Sequence, residues 1–262
     1  MPSALAAPRV GAVLSRLYAA ATHDSRHSWP PARARAAASP AERSQAFQDV
    51  SFPVSAEAGN LLYALVRASR PQTVVEFGTS FGVSTIYLAA AVADNGAGHV
   101  VTTELSSKKV QAARSNLQQA GLGETVSVLA GDARETLAAV AGPVGLVLLD
   151  GWKDLFLPVI RLLEPKLALG ALVIANDGKL ASAAAYLSYV REPANGYVTA
   201  AFPNGDGIEV SSWAGHQTPL VPQQDQAGIT AQAPGTLQAV DWCWRCELPA
   251  WRLAPTARGQ RP

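Results

Sequence analysis

The sequence predicts an α/β protein in which helices flank a doubly wound, mostly parallel sheet. Between Thr73 and Arg191, five short apolar runs alternate with helical segments, which is the pattern of consecutive strand–helix–strand units. The apolar runs are continuous, as is typical of strands buried on both faces of a parallel sheet. A last pair of β-rich runs, joined by Pro203-Asn204-Gly205-Asp206, predicts a closing antiparallel hairpin. The sheet should therefore have seven strands.

The predicted elements follow in order along the chain. The parallel strands are Thr73–Phe77, His99–Glu104, Thr125–Ala130, Val144–Asp150 and Ala171–Asn176. The helices between and after them lie near Val83–Ala93, Ser106–Ala120, Ala133–Val140, Asp154–Leu167 and Leu180–Arg191. The hairpin strands are Tyr197–Phe202 and Gly207–Ser212. Right-handed crossovers should place the helices on both faces of the sheet.

We predict that residues 1–52 form a helical extension before the sheet domain, which spans residues 53–213. An apolar stripe begins at Val10, and the two prolines in the polar segment His23–Pro31 should interrupt the helix. We expect this extension to close a pocket as a lid or to form a dimer contact. A further amphipathic helix should begin after Ser55, a favourable N-cap residue.

We predict that residues 214–262 form a poorly ordered tail, because they are rich in Gln, Pro, Thr and Ala and have no sustained helical or strand period of apolar residues. The tail contains both cysteines of the chain, Cys243 and Cys246. No second ligand pair accompanies them, so we interpret their spacing as incidental. Without a disulfide framework, a reducing cytoplasm is the expected location.

The composition limits the classes of partner. The formal net charge of +1 argues against a general nucleic-acid binder, and no apolar run reaches the length of a membrane span. With 48% hydrophobic residues in 262, the chain can bury a large core. These values favour a globular protein that acts on a small molecule.

Polar residues at three successive strand ends predict a site for a nucleoside-bearing cofactor. The loop Glu76-x-Gly78-x-x-x-Gly82-x-Ser84 follows the first strand, and its glycines allow close approach of the backbone to a ligand. Glu104 ends the second strand, where a carboxylate can accept hydrogen bonds from both ribose hydroxyls. Asp132 or the amide of the next residue could contact adenine. The loop lacks the tighter spacing of a dinucleotide fingerprint, which disfavours NAD.

This series resembles the class I S-adenosylmethionine-dependent methyltransferases over roughly Pro53 to Trp213. The resemblance implies a Rossmann-like methyltransferase fold and a set of residues that contact S-adenosyl-L-methionine. That set is Glu76, Gly78, Thr79, Ser80, Gly82, Ser84, Glu104, Asp132, Ala133 and Asp150.

A second group of polar residues lies at the ends of the fourth and fifth strands. Asp150 follows one strand, and Asn176-Asp177 follow the next. Because these strands should be neighbours, two carboxylates and one amide oxygen should converge, and such ligands suit a hard cation such as Mg²⁺. Zinc is disfavoured because the four histidines are scattered. Alternatively, Asp150 caps a helix and Asn176-Asp177-Gly178 forms a turn.

The run Leu149-Asp150-Gly151-Trp152-Lys153-Asp154, with Asn176-Asp177, resembles the cation-dependent O-methyltransferases of the catechol and caffeoyl-CoA type. The resemblance implies that Asp150, Asn176 and Asp177 are metal ligands and that Lys153 is the general base, with Asp150 beside it. It implies a small phenolic substrate. Trp152 should form an apolar wall against a flat aromatic ring, or it is a buried packing residue. A homodimer through the N-terminal helices is possible. The family usually has Asp before Asn, the reverse of the order here. Gly151 replaces a histidine, which should open the pocket.

Two alternatives stay open at this point. One keeps the cofactor without the metal, so that Lys153 or Asp150 acts directly on the substrate. The other is a catalytically inactive regulatory or scaffold protein that binds the cofactor, for which the reversed Asn176-Asp177 order is the motivating observation.

Overall fold

The structure is a computed structural model, and it describes residues 3–27, 39–176, 181–203 and 207–215. Over these residues seven strands form one sheet. The strands are β1 (Thr73–Phe77), β2 (His99–Glu104), β3 (Val126–Ala130), β4 (Val144–Leu149), β5 (Leu167–Asn176), β6 (Tyr197–Phe202) and β7 (Ile208–Trp213). The tail predicted over 214–262 lies outside the described residues, apart from Ala214 and Gly215.

Helices flank the sheet on both faces. Within the described ranges they are α1 (Pro8–His27), α2 (Pro40–Ala46), α3 (Ala56–Ser69), α4 (Val83–Asn95), α5 (Ser107–Ala120), α6 (Ala133–Thr136), α7 (Phe156–Leu163) and α8 (Ala184–Val190). As predicted, Ser55 caps α3, because its hydroxyl accepts a hydrogen bond from the Ala58 amide at 3.1 Å. None of the helices in this part of the chain has the length and hydropathy of a membrane span.

The strand order β3-β2-β1-β4-β5-β7-β6 confirms the predicted doubly wound sheet. The first five strands in this order pair in parallel, and β7 and β6 pair antiparallel as the closing hairpin. The chain builds outward from β1 to β3 and then crosses back to β4. The switch point of the sheet therefore lies between the carboxyl ends of β1 and β4, where open α/β sheets bind ligands.

The core explains why the strands are apolar without alternation. Val74 faces one buried cluster with α1, α3, α4 and α5, while the next residue, Val75, faces a second cluster with α7 and α8. Both side chains are completely buried. A strand covered on both faces has no solvent-facing positions, so it has no polar period.

Some element bounds differ from those predicted. Within the described residues α1 extends to His27, which lies inside the polar segment His23–Pro31 that is predicted to interrupt the helix. β5 begins at Leu167 instead of Ala171, because Leu167 pairs with Val144 across a register shift. The helix predicted over Asp154–Leu167 is shorter, and 3₁₀ turns form at its two ends.

Gly78 brings the two strands at the switch point into contact. Its φ is +107°, a backbone conformation that residues with a Cβ atom rarely adopt. A Cβ added there would lie 2.7 Å from the amide nitrogen of Gly151 and 2.8 Å from the carbonyl carbon of Asp150. The loop after β1 therefore touches the backbone after β4 without an intervening side chain.

We expect Gly78→Ala to lower the free energy of unfolding by about 3 kcal/mol, since it adds a backbone clash to the cost of a positive φ. The matched control is Gly96→Ala, where φ is +72° but nothing lies within 4 Å of an added Cβ. It should cost about 1 kcal/mol. Urea unfolding measures both values, and equal losses would contradict the proposed contact.

Candidate active site

A cavity of about 520 Å³ opens at the carboxyl edge of β1, β2 and β4. Its walls come from four segments within residues 43–54, 77–84, 103–109 and 150–154, together with Ser182. The predicted glycine loop and the predicted Asp-Gly-Trp-Lys-Asp run therefore share one cavity. Residues 43–52 of this wall belong to the N-terminal extension.

The glycine loop is held by backbone hydrogen bonds to β2. The amides of Gly78 and Thr79 both donate to the carbonyl of Thr103, at 3.2 and 3.1 Å. Gly82, at φ +90°, begins α4, and Ser80 has a φ of +49°. The hydroxyl of Ser80 is buried and has no hydrogen-bond partner among the described residues. A loop with strained backbone and an unpaired hydroxyl is suited to hold a ligand.

Glu76 lies completely buried beneath this loop. Its Oε2 accepts hydrogen bonds from the hydroxyls of Thr85 and Thr102, at 2.5 and 2.6 Å. Its Oε1 has no partner within the described ranges. Burial raises the pKa of the Glu76 carboxyl to about 7, although hydroxyl donors oppose the shift. A buried carboxylate with one unpaired oxygen fits a cationic or amino group in the adjoining cavity.

Glu104 links the end of β2 to the glycine loop. Its Oε2 accepts a hydrogen bond from the Ser80 amide at 2.9 Å, and its Oε1 accepts one from the Ser106 amide at 2.8 Å. The carboxylate is therefore fixed at the cavity wall with acceptor capacity left on both oxygens. This geometry suits the ribose contact that the sequence predicts.

Asp132 and Ala133 lie beside the main cavity. They line a small adjoining cavity, which shares Phe77, Thr103, Leu105 and Trp152 with the larger one. Asp132 caps α6, and its carboxylate pairs with the Arg134 side chain at 2.6 and 3.0 Å. Hydrogen bonds from Arg134 lower the pKa of Asp132. A contact of Asp132 or Ala133 with adenine stays a prediction.

The structure brings Asp150, Asn176 and Lys153 together. The Asn176 amide nitrogen donates to Asp150 Oδ1 at 3.0 Å, and Lys153 Nζ lies 3.6 Å from the same oxygen. The Asp150 and Lys153 side chains are only 10% and 13% exposed. The third predicted ligand, Asp177, lies outside the described residues. Within the described residues, no three His, Cys, Asp or Glu residues cluster closely enough to hold a metal ion.

Aromatic rings and an arginine form the wall next to this group. Phe47 packs against Trp152, with ring centroids 5.7 Å apart, and the Arg43 guanidinium lies 4.9 Å from the Trp152 ring centroid. Gly151 does not open the pocket as expected, because a Cβ there would lie 2.5 Å from Cζ of Phe77. The Phe77 ring already occupies that space.

Sequence reasoning missed two cations in the cavity wall. Arg43 reaches the site from α2, and nothing in the sequence pairs it with residues more than a hundred positions later. Lys109 is 8% exposed and lies 5.4 Å over the ring of Phe81. Its position five residues after Glu104, at the start of an amphipathic helix, was the available signal.

A glycine loop after β1, Glu104 at the end of β2 and Asp150 after β4 are grouped at the switch point of the sheet, where open α/β proteins bind ligands. Residues 75–178 match the family model described as a methyltransferase domain. The catechol O-methyltransferase of Mycobacterium tuberculosis is 42% identical over 102 residues, which are 38% of this chain and 46% of that protein. The Niastella koreensis catechol O-methyltransferase is 30% identical over half of this chain and 62% of its own length.

Solved structures have the same fold. The cofactor-bound structure of Rv0187 from MTB has a TM-score of 0.58 and 29% identity, over 76% of this chain and 90% of that one. A Bacillus cereus O-methyltransferase in complex with SAH has a TM-score of 0.56 at 21% identity, and it covers 76% of this chain and 99% of that one. The second likeness concerns the fold alone. The predicted resemblance to O-methyltransferases of the catechol and caffeoyl-CoA type is confirmed, while the chain spans about half the length of the curated relatives it matches.

The raised pKa of Glu76 predicts a pH-dependent cost of folding. The native carboxyl keeps its proton up to about pH 7, whereas the unfolded one loses it near pH 4.5. The native state therefore binds more protons in this window, and stability falls as the pH rises through it, by about 3 kcal/mol in total. Glu76→Gln should be more stable than the ligand-free wild type at pH 8, and this advantage should shrink towards pH 4.5. Urea unfolding at both pH values checks this, and a pH-independent difference would contradict it.

Proposed function

We propose that this protein transfers the methyl group of S-adenosylmethionine to a hydroxyl of a small phenolic, catechol-like acceptor with the help of a divalent cation. The observation that carries the proposal is that Asp150 and Lys153 line the same cavity as the glycine loop, while Asn176 donates a hydrogen bond to Asp150. Gly78 makes this possible, because it lets the loop after β1 contact Gly151 directly. The catechol O-methyltransferase relatives support the same acceptor class.

The glycine-loop side of the cavity suits S-adenosylmethionine, which supplies a methyl group bonded to a positively charged sulfur. We assign the methionine part to the loop after β1, where Glu76 Oε1 and Ser80 Oγ are buried and lack partners among the described residues. Glu104 takes the ribose, since two backbone amides already orient its carboxylate. Negative charge from Glu104 and Asp150, which line the cavity, favours a cationic cofactor there.

Asp150, Asn176 and Asp177 are the proposed ligands of the cation. A carboxylate and an amide in contact provide the hard oxygen ligands that Mg²⁺ prefers. When bound, the ion stabilises negative charge on the acceptor oxygen. Rotation of the Asn176 amide would turn its oxygen, instead of its nitrogen, towards Asp150 and the ion.

Lys153 is the proposed general base. Its amine, in the neutral form, would accept the proton of the acceptor hydroxyl. The acceptor oxygen forms a bond to the methyl carbon while the carbon–sulfur bond breaks, and S-adenosylhomocysteine leaves. Because no covalent enzyme intermediate is needed, the contribution of the protein is mainly to align the oxygen with the methyl group.

A metal-independent methyltransferase is the second candidate. It is favoured by the direct approach of Lys153 Nζ to Asp150 Oδ1, at 3.6 Å. In this case Asp150 orients Lys153, and the pair removes the proton without a cation.

We assign the extension of residues 1–52 the role of a pocket lid, since five of its residues between Arg43 and Phe52 contribute to the cavity wall. A cytoplasmic location and a homodimer stay predictions.

We expect EDTA to reduce methyl transfer to catechol by a factor of about 100 or more, and added Mg²⁺ to restore it. Asp150→Ala should lose the stimulation by Mg²⁺ but retain most of the S-adenosylhomocysteine affinity measured by calorimetry. Lys153→Met is the matched variant, because it should keep Mg²⁺ binding and lose turnover.

The readouts separate the candidates. Full activity in EDTA would favour the metal-independent enzyme. Cofactor binding without transfer to any catechol, with or without Mg²⁺, would indicate an inactive cofactor-binding protein.

A further inference from the structure

We propose that Arg43 recognises a carboxylate on the acceptor, so that the substrate is a phenolic acid and not a neutral catechol. This inference rests on the proposed function and adds the chemical class of the substrate. It concerns the end of the cavity formed by α2 and by residues 150–154.

Arg43 is a mostly buried cation in the cavity wall. Its side chain is 17% exposed, and its guanidinium lies over the Trp152 ring that should contact the acceptor. A charged group removed from water is costly unless it is paired and hydrogen-bonded. A wall built only to pack against a neutral aromatic ring has no need of such a group.

The pairing of Arg43 within the protein is incomplete. Its Nη2 donates to Asp154 Oδ2 at 2.8 Å, but the Asp154 side chain is 48% exposed, so water screens the ion pair. Its Nε is buried and has no partner among the described residues. A guanidinium has five N–H donors in a planar fork, which matches a carboxylate in a bidentate arrangement.

The position of Arg43 sets the orientation of the acceptor. Trp152 lies between Asp150 and Lys153 in the sequence, and the Arg43 guanidinium lies 4.9 Å from its ring centroid. An acceptor ring packed on Trp152 could present its hydroxyls to Lys153 and a carboxylate at its far end to Arg43. Asp154 links the two ends, since it follows Lys153 and contacts Arg43.

Arg43 could instead act only as a strap that holds α2 over the cavity through Asp154 and Trp152. The two roles differ in their dependence on acceptor charge. A strap affects acids and neutral acceptors alike, and loss of Asp154 should then resemble loss of Arg43. Recognition of an anion affects acids selectively and does not need Asp154.

The test compares 3,4-dihydroxybenzoate with 3,4-dihydroxybenzamide, which has the same shape without the charge. Wild-type protein, Arg43→Gln and the control Asp154→Asn are assayed with S-adenosylmethionine and Mg²⁺ for kcat/KM. Acceptor affinity is measured in parallel by calorimetry in the presence of S-adenosylhomocysteine. We expect the wild type to favour the acid by about tenfold or more in both readouts. Arg43→Gln should lose this preference, and Asp154→Asn should keep it.

Two results would overturn the inference: equal affinity of the wild type for the acid and the amide, or an equal loss of affinity for both in Arg43→Gln. Selective binding of the acid without methyl transfer would instead overturn the proposed function and leave the role of Arg43 standing. Circular dichroism of each variant checks that the fold is intact.

Discussion

The site depends on a contact between two backbones at the switch point of the sheet. Gly78 lies against Asp150 and Gly151 so closely that a single added carbon would clash with backbone atoms. The chain crosses from the β1–β3 half to the β4–β5 half of the sheet, so the carboxyl ends of the two halves meet at the junction of β1 and β4. The contact places the glycine loop, with Glu76 and Glu104 behind it, beside the acid and amine proposed for the chemistry.

Several carboxyl groups lie in or next to the cavity, and they determine which ligands the site favours. Glu76 is completely buried, and burial holds its pKa near 7. Asp150 and Glu104 add further carboxylates, which the protein holds with Asn176 and with two backbone amides. We therefore expect such a site to favour a sulfonium cofactor, and the proposed cation, over neutral ligands, because both offset the charge of the carboxylates.

The sequence was most informative where burial removes ambiguity. The continuous apolar strands predicted the sheet, and strand ends predicted that Glu104 and Asp150 would lie at one edge. Arg43 and Lys109 were missed because they lie on amphipathic helices, where a charged residue normally faces water. Local patterns do not record which long-range contacts such a residue makes. The start of β5 depended on pairing across a register shift with Val144, and the space beside Gly151 depended on the ring of Phe77.

The central claim is that Asp150 and Asn176 share a hard cation next to the cofactor. A crystal structure with S-adenosylhomocysteine and Mn²⁺, which replaces Mg²⁺ and scatters anomalously, tests it most directly. We predict an anomalous peak within coordination distance of an Asp150 oxygen and the Asn176 amide oxygen, with S-adenosylhomocysteine bound along the glycine loop. S-adenosylhomocysteine bound there at saturating Mn²⁺, with no peak at these residues, would contradict it.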